Sequence, residues 1–124
     1  MPYGSWLNLQ RRDYALNKKV ALSILIALVV ANAAWVAASQ HSAPLIALIF
    51  YAIVAFLCWQ RNHFQAGIIA GIVGLGIHAY ELIFWGVAGL GAFDLLLFFI
   101  NLVFPIPLIY FSYKAYRESA RMTR

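Results

Sequence analysis

Two ionisable side chains stand one helical turn apart inside an apolar run: His78 and Glu81, in the stretch GIHAYELIFWG from Gly76 to Gly86. An imidazole and a carboxylate at this spacing can share a proton, hold a cation or offer two ligands to one metal ion. Asn32 and Asn101 lie within neighbouring apolar runs, and Asp94 opens the last of them. A lone ionised carboxylate in hydrocarbon costs several kcal/mol, so Glu81 needs a proton, a cation, water or an ionised neighbour. His78 and the loop residue His41 are the available neighbours; no Lys or Arg falls near Glu81 in the topology derived below. The candidate ligand- or proton-binding set is therefore Glu81, His78, Asn101, Asn32 and Asp94.

As a metal site this set is poor. Carboxylate-bridged di-iron bundles use Glu-x-x-His on two helices together with further glutamates, whereas here one His-x-x-Glu runs in the reverse order. His78 and Glu81 are the only metal candidates, and His78 is the only histidine placed well inside an apolar run for haem. Neither metal nor haem is expected. Serine-hydrolase elbows, Walker loops and paired catalytic carboxylates are absent from the sequence, which argues against an enzyme.

The elements that must position these residues follow from composition. The 124 residues are 65% hydrophobic and 10% charged, with a mean hydropathy of +0.81, where a soluble domain carries about 25% charged residues. An all-α integral membrane protein is expected, as one domain over 1–124. A span needs about 20 apolar residues, which gives an antiparallel four-transmembrane-helix bundle with spans at about 20–39, 44–60, 64–90 and 93–113. Basic tails at 1–19 and 114–124 flank it. Arg11, Arg12, Lys18 and Lys19 precede the first span, Arg61 separates the second from the third, and Lys114, Arg117, Arg121 and Arg124 follow the fourth. The other two connections carry no Lys or Arg. By the positive-inside rule both termini are cytoplasmic, in a plasma or inner membrane.

The net charge of +5 then reads as topology signal and as contact with anionic lipid at the cytoplasmic tails, not as a nucleic-acid surface. Lys18-Lys19 followed by an apolar run and VAASQ has the outline of a signal peptide, but the run exceeds the usual h-region and favours a retained helix. The preceding SWLNLQRRDYALNKK reads either as a short interfacial amphipathic helix or as a basic tail without structure. Cys58 stands alone, so no intrachain disulfide is available.

At about 100° per residue, Gly67, Gly71, Gly74, His78, Glu81 and Trp85 share one face of the third span, with Ile69, Val73, Ile77, Tyr80 and Phe84 opposite. Gly67, Gly71 and Gly74 are the expected helix-packing residues, because small-xxx-small spacings let backbones approach closely in lipid. In the fourth span Asp94, Phe98, Asn101, Pro105, Leu108 and Ser112 share a face, and Pro105 with Pro107 should bend the helix below Asn101. The leading functional expectation is a small oligomeric multi-pass protein that binds or translocates an ion or small solute, proton-linked through Glu81. A non-catalytic scaffold subunit of a larger membrane complex is the alternative, and a metal- or haem-dependent redox protein the third.

Overall fold

The computed structural model describes residues 3–39, 42–86, 88, 89 and 91–122, and side chains within 11–38, 44–86, 88, 89 and 91–120. Every described element is a helix: α1 (Tyr3–Ser39), α2 (Ser42–Arg61), α3 (Phe64–Phe84), α4 (Ala92–Val103) and α5 (Pro105–Met122). Four helical stretches are long and apolar enough to cross a membrane: Arg11–Ala38, Pro44–Arg61, Phe64–Phe84 and Ala92–Ala120, the last running through α4 and α5. Each helix packs on its sequence neighbours, and α1 also packs on α4 and α5, closing a ring of four.

The N-terminal segment is neither a separate interfacial helix nor a tail without structure. It continues α1 without a break over 37 residues, or about 55 Å at 1.5 Å per residue. No proline or glycine interrupts the chain between Ser5 and Ser39, so backbone hydrogen bonding propagates through the charged turns.

The third helix stops at Phe84, short of the Leu90 expected from hydropathy. Gly86 adopts a φ of +70°, which L side chains rarely tolerate. Its N–H is shared between the carbonyls of Glu81 and Leu82, at 3.0 and 3.1 Å, and this glycine cap ends the helix. Trp85 therefore lies past the end of α3, is 78% exposed, and does not continue the packing face.

The two prolines interrupt the last span for a single residue, Phe104. Pro105 and Pro107 have no N–H to give Asn101 and Val103, while Phe104 N still donates to Ile100 O at 3.0 Å and Leu108 N to Phe104 O at 3.2 Å. Below the break, α5 lies close against α3. A Cβ on Gly67 would stand 3.1 Å from the Ser112 Cβ, and one on Gly71 would run into Ile109 and come 3.0 Å from the Pro105 carbonyl. A Cβ on Gly74 would strike the Tyr51 hydroxyl of α2. All three glycines are buried, and their missing side chains permit these approaches.

The end of the bundle that holds both tails and the α2–α3 turn is tied by polar side chains. Lys18 Nζ donates to Asn62 Oδ1 at 2.6 Å and to the Trp59 carbonyl at 3.4 Å, placing a cation at the C-terminus of α2. Asn62 itself has a φ of +54°, a left-handed conformation that asparagine accepts better than most residues. Asn17 Nδ2 donates to both carboxylate oxygens of Glu118 at 3.1 Å, linking α1 to α5.

Candidate functional site

The opposite end, which carries the α1–α2 and α3–α4 connections, contains a cleft between α1, α2 and α3 of about 520 Å³. It reaches from Asn32, Tyr51 and Gly74 at mid-bundle to Trp35, Pro44 and Glu81 near the connections. Its volume lies in the range of small-molecule sites, about 300–1,000 Å³, which are commonly apolar and aromatic with a few polar groups. The walls here have that character, with Phe50, Tyr51, Val73 and Ile77 among them and Asn32, His78 and Glu81 as the polar members.

Helix periodicity explains each contribution. Gly74, His78 and Glu81 follow one another along α3 at i, i+4 and i+7, on one face. Ala47, Phe50 and Tyr51 form the facing stripe on α2. Val73 and Ile77, expected on the face opposite the glycines, also line the cleft at its open edge, where they are 41% and 51% exposed. They border α2 because the cleft is centred between the glycine face and its flank.

His78 Nδ1 donates to the Gly74 carbonyl one turn back, at 2.8 Å, and does not bond Glu81. A carbonyl only accepts, so this bond fixes the proton on Nδ1 and leaves Nε2 as an acceptor in neutral imidazole or a second donor once charged. The ring packs edge-on against Phe98 of α4, with centroids 5.7 Å apart. Glu81, half-buried, lines the cleft together with His78. His41, the other histidine considered for it, lies outside the described residues.

The two asparagines meet, but not as two ligands in one pocket. Asn32 Nδ2 donates to Asn101 Oδ1 at 2.8 Å and to the Leu28 carbonyl at 2.8 Å, and Asn101 Nδ2 donates to the Leu97 carbonyl at 2.9 Å. Asn101 is consumed in this buried α1–α4 clasp and does not line the cleft; Asn32 lines it from behind, its Oδ1 used by neither of its bonds. Asp94 likewise does not line the cleft. It occupies the first turn of α4, where a negative charge suits the helix dipole, and accepts a 3.0 Å bond from Trp35 Nε1 of α1.

Compared with known protein families, curated proteins and solved structures, the chain matches none. The site must therefore be read from its own chemistry. Among the described residues no three of His, Cys, Asp or Glu converge in a way that could hold a metal ion. What converges instead is a carboxylate and an imidazole at the mouth of an apolar cleft, with an amide at its floor. Such a site can bind a small amphiphilic molecule and exchange a proton at its polar end.

The sequence reading missed Phe50, Tyr51 and Trp35 as members of the site. A signal was present: Tyr51, Val54 and Cys58, spaced three and four apart and all buried, mark the inward face of α2, and Ala47 and Phe50 flank it.

Proposed function

We propose that the chain is a multi-pass membrane protein, both termini cytoplasmic, that binds and moves an ion or small solute in the cleft between α1, α2 and α3, linked to a proton on Glu81. The observation that carries this reading is the placement of Glu81 and His78 together on an apolar cleft of about 520 Å³ with no described Lys or Arg in its lining. Membrane insertion is supported by apolar side chains that point outward all round, such as Ile53 at 55%, Ile69 at 58%, Ile83 at 75% and Leu96 at 59% exposure. The orientation is supported by the gathering of Lys18, the α2–α3 turn and the C-terminal helix at one end, through the Asn62 and Glu118 bonds.

In this reading solute and proton compete for one carboxylate. The groups that surround the exchange are His78 beside Glu81 on α3, Tyr51 on α2, Asn32 and Trp35 on α1, and Asp94 on α4 behind Trp35. His78, fixed through Nδ1, keeps Nε2 for the transferred proton. The working unit is a homo-oligomer, because a single bundle leaves the cleft rim at Ile46 and Ile77 uncovered.

Vesicles containing the purified protein and an entrapped pH dye test the reading. Three probes of related shape are added outside: tetraphenylphosphonium, triphenylphosphine oxide and tetraphenylborate. The reading expects at least one of them to drive proton movement through the native protein and not through Glu81→Gln. Equal traces for both proteins with all three probes would contradict it.

A further inference from the structure

If the cleft is a binding site, its walls specify the charge of what it holds. We propose that the ligand is a monovalent organic cation with an aromatic or branched apolar body, its charge at Glu81 and its body against the wall that Phe50 and Tyr51 form. This rests on the proposed role of the cleft and names the chemistry of its occupant.

Three observations carry it. The first is charge: among the described residues Glu81 is the only formally anionic one in the lining, and no Lys or Arg joins it. The described cations nearest any helix end lie at the other end of the bundle, as Lys18 does on Asn62. An anion would meet Glu81 with no Lys or Arg to offset the repulsion, and a neutral ligand would leave the carboxylate to a proton, water or an ionised His78. A cation compensates it directly.

The second is the wall material. Trp35, Phe50 and Tyr51 bring three aromatic rings to one cleft. Aromatic faces attract cations within about 6 Å of the ring centroid, most strongly where water is excluded, and quaternary ammonium groups are recognised in this way. The Trp35 ring is held by its Nε1 bond to Asp94, so its orientation is fixed before a ligand arrives.

The third is size and donor count, which decide between an organic and an inorganic cation. A bare Ca²⁺ or Mg²⁺ asks for about six or more oxygen ligands at close range. The cleft offers one carboxylate, one amide oxygen and one phenolic oxygen, from Glu81, Asn32 and Tyr51, in about 520 Å³ of mostly apolar space, which is still short of such a shell. Its apolar length matches a body that buries carbon surface. Between Gly74 and Glu81 the helix rises about 10 Å, so a charge held at Glu81 leaves room for that body toward mid-bundle.

Equilibrium binding of the same three probes to detergent-purified protein tests this. Tetraphenylphosphonium is expected to bind the native protein at least about tenfold more tightly than triphenylphosphine oxide, with tetraphenylborate unbound. Glu81→Gln should lose about tenfold or more for the cation and little for the oxide, and Phe50→Leu should lose several-fold for the cation. A cleft-filling variant, Ala47→Trp, checked for native helicity and monodispersity, should abolish binding. If the oxide or the borate binds as tightly as the phosphonium and Ala47→Trp abolishes that binding, the cationic specificity is wrong while the cleft stands as a binding site. If Ala47→Trp folds and changes nothing, or no probe binds, the cleft itself is not the site and both readings fall.

Discussion

Asn32 of α1 and Asn101 of α4 share a hydrogen bond of 2.8 Å at a position where they are 1% and 0% exposed. Each amide is also anchored to the carbonyl four residues earlier in its own helix. The clasp fixes the rotation of α1 against α4 and so decides which face of α1 turns to the cleft.

Replacing either member alone leaves the other's polar group buried without its partner, at a cost of about 1–3 kcal/mol. Asn32→Leu and Asn101→Leu should each destabilise the bundle by roughly that much in reversible unfolding from mixed micelles. The double variant should fall short of the sum, with a coupling of about 0.6 kcal/mol and at most about 1.7, the average and the maximum found for hydrogen bonds between membrane helices. Strict additivity would mean that the bond does not tie the helices together.

The glycines of α3 make a sharper comparison, because one of them has no neighbour. A Cβ at Gly71 meets the Ile109 side chain and stands 3.0 Å from the Pro105 carbonyl, which is backbone and gives little, whereas at Gly76 nothing lies within 4 Å. Gly71→Ala should destabilise the protein by about 1–3 kcal/mol through overpacking. Gly76→Ala should stabilise it by up to about 1 kcal/mol, because it removes backbone freedom from the unfolded chain. Unfolding midpoints of the two variants, moving in opposite directions, are the expected result.

Trp35 joins the mouth of the cleft to the start of α4. Trp35→Phe keeps a ring in the wall but removes the donor to Asp94, and hydrogen bonds to charged groups contribute about 1.5–3 kcal/mol. A thermal midpoint lowered accordingly, with probe binding reduced only several-fold, is expected. Asp94→Asn keeps an acceptor and loses the charge that suits the helix N-terminus, so a smaller loss of about 0.3–1 kcal/mol should follow.

Much of this arrangement could be read from the residues, and the exceptions have physical causes. Phe98, Asn101, Pro105, Leu108 and Ser112 share a face by angular count and are all buried, because the 3.6-residue period survives the single-residue break at Phe104. His78 and Glu81 do lie on one flank of α3. The end of α3 was not legible from hydropathy, since GVAGLG is apolar enough to continue a span and glycine is common in membrane helices. It is the positive φ of Gly86 that turns the chain. The pairing of Asn32 with Asn101 depends on how two helices are rotated about their axes, which neither helix encodes by itself. The cleft was missed for a different reason: α2 supplies Ala47, Phe50 and Tyr51, and although spacing marks the inward face of α2, none of the three carries a charge that would mark a site.

The central claim is that Glu81 takes up and releases a proton inside an accessible apolar cleft, and a hydrophobic carbodiimide tests it without knowledge of the solute. Such a reagent partitions into apolar sites and adds to a protonated carboxyl group. Only Asp13, Glu81, Asp94 and Glu118 can compete among the acidic side chains of the 124-residue chain. Dicyclohexylcarbodiimide, with the products located by peptide mass mapping, should give one adduct at Glu81, formed faster as pH falls, slowed by tetraphenylphosphonium and absent from Glu81→Gln. An unmodified Glu81 across the pH range, or an adduct at Asp94 in its place, would contradict the account.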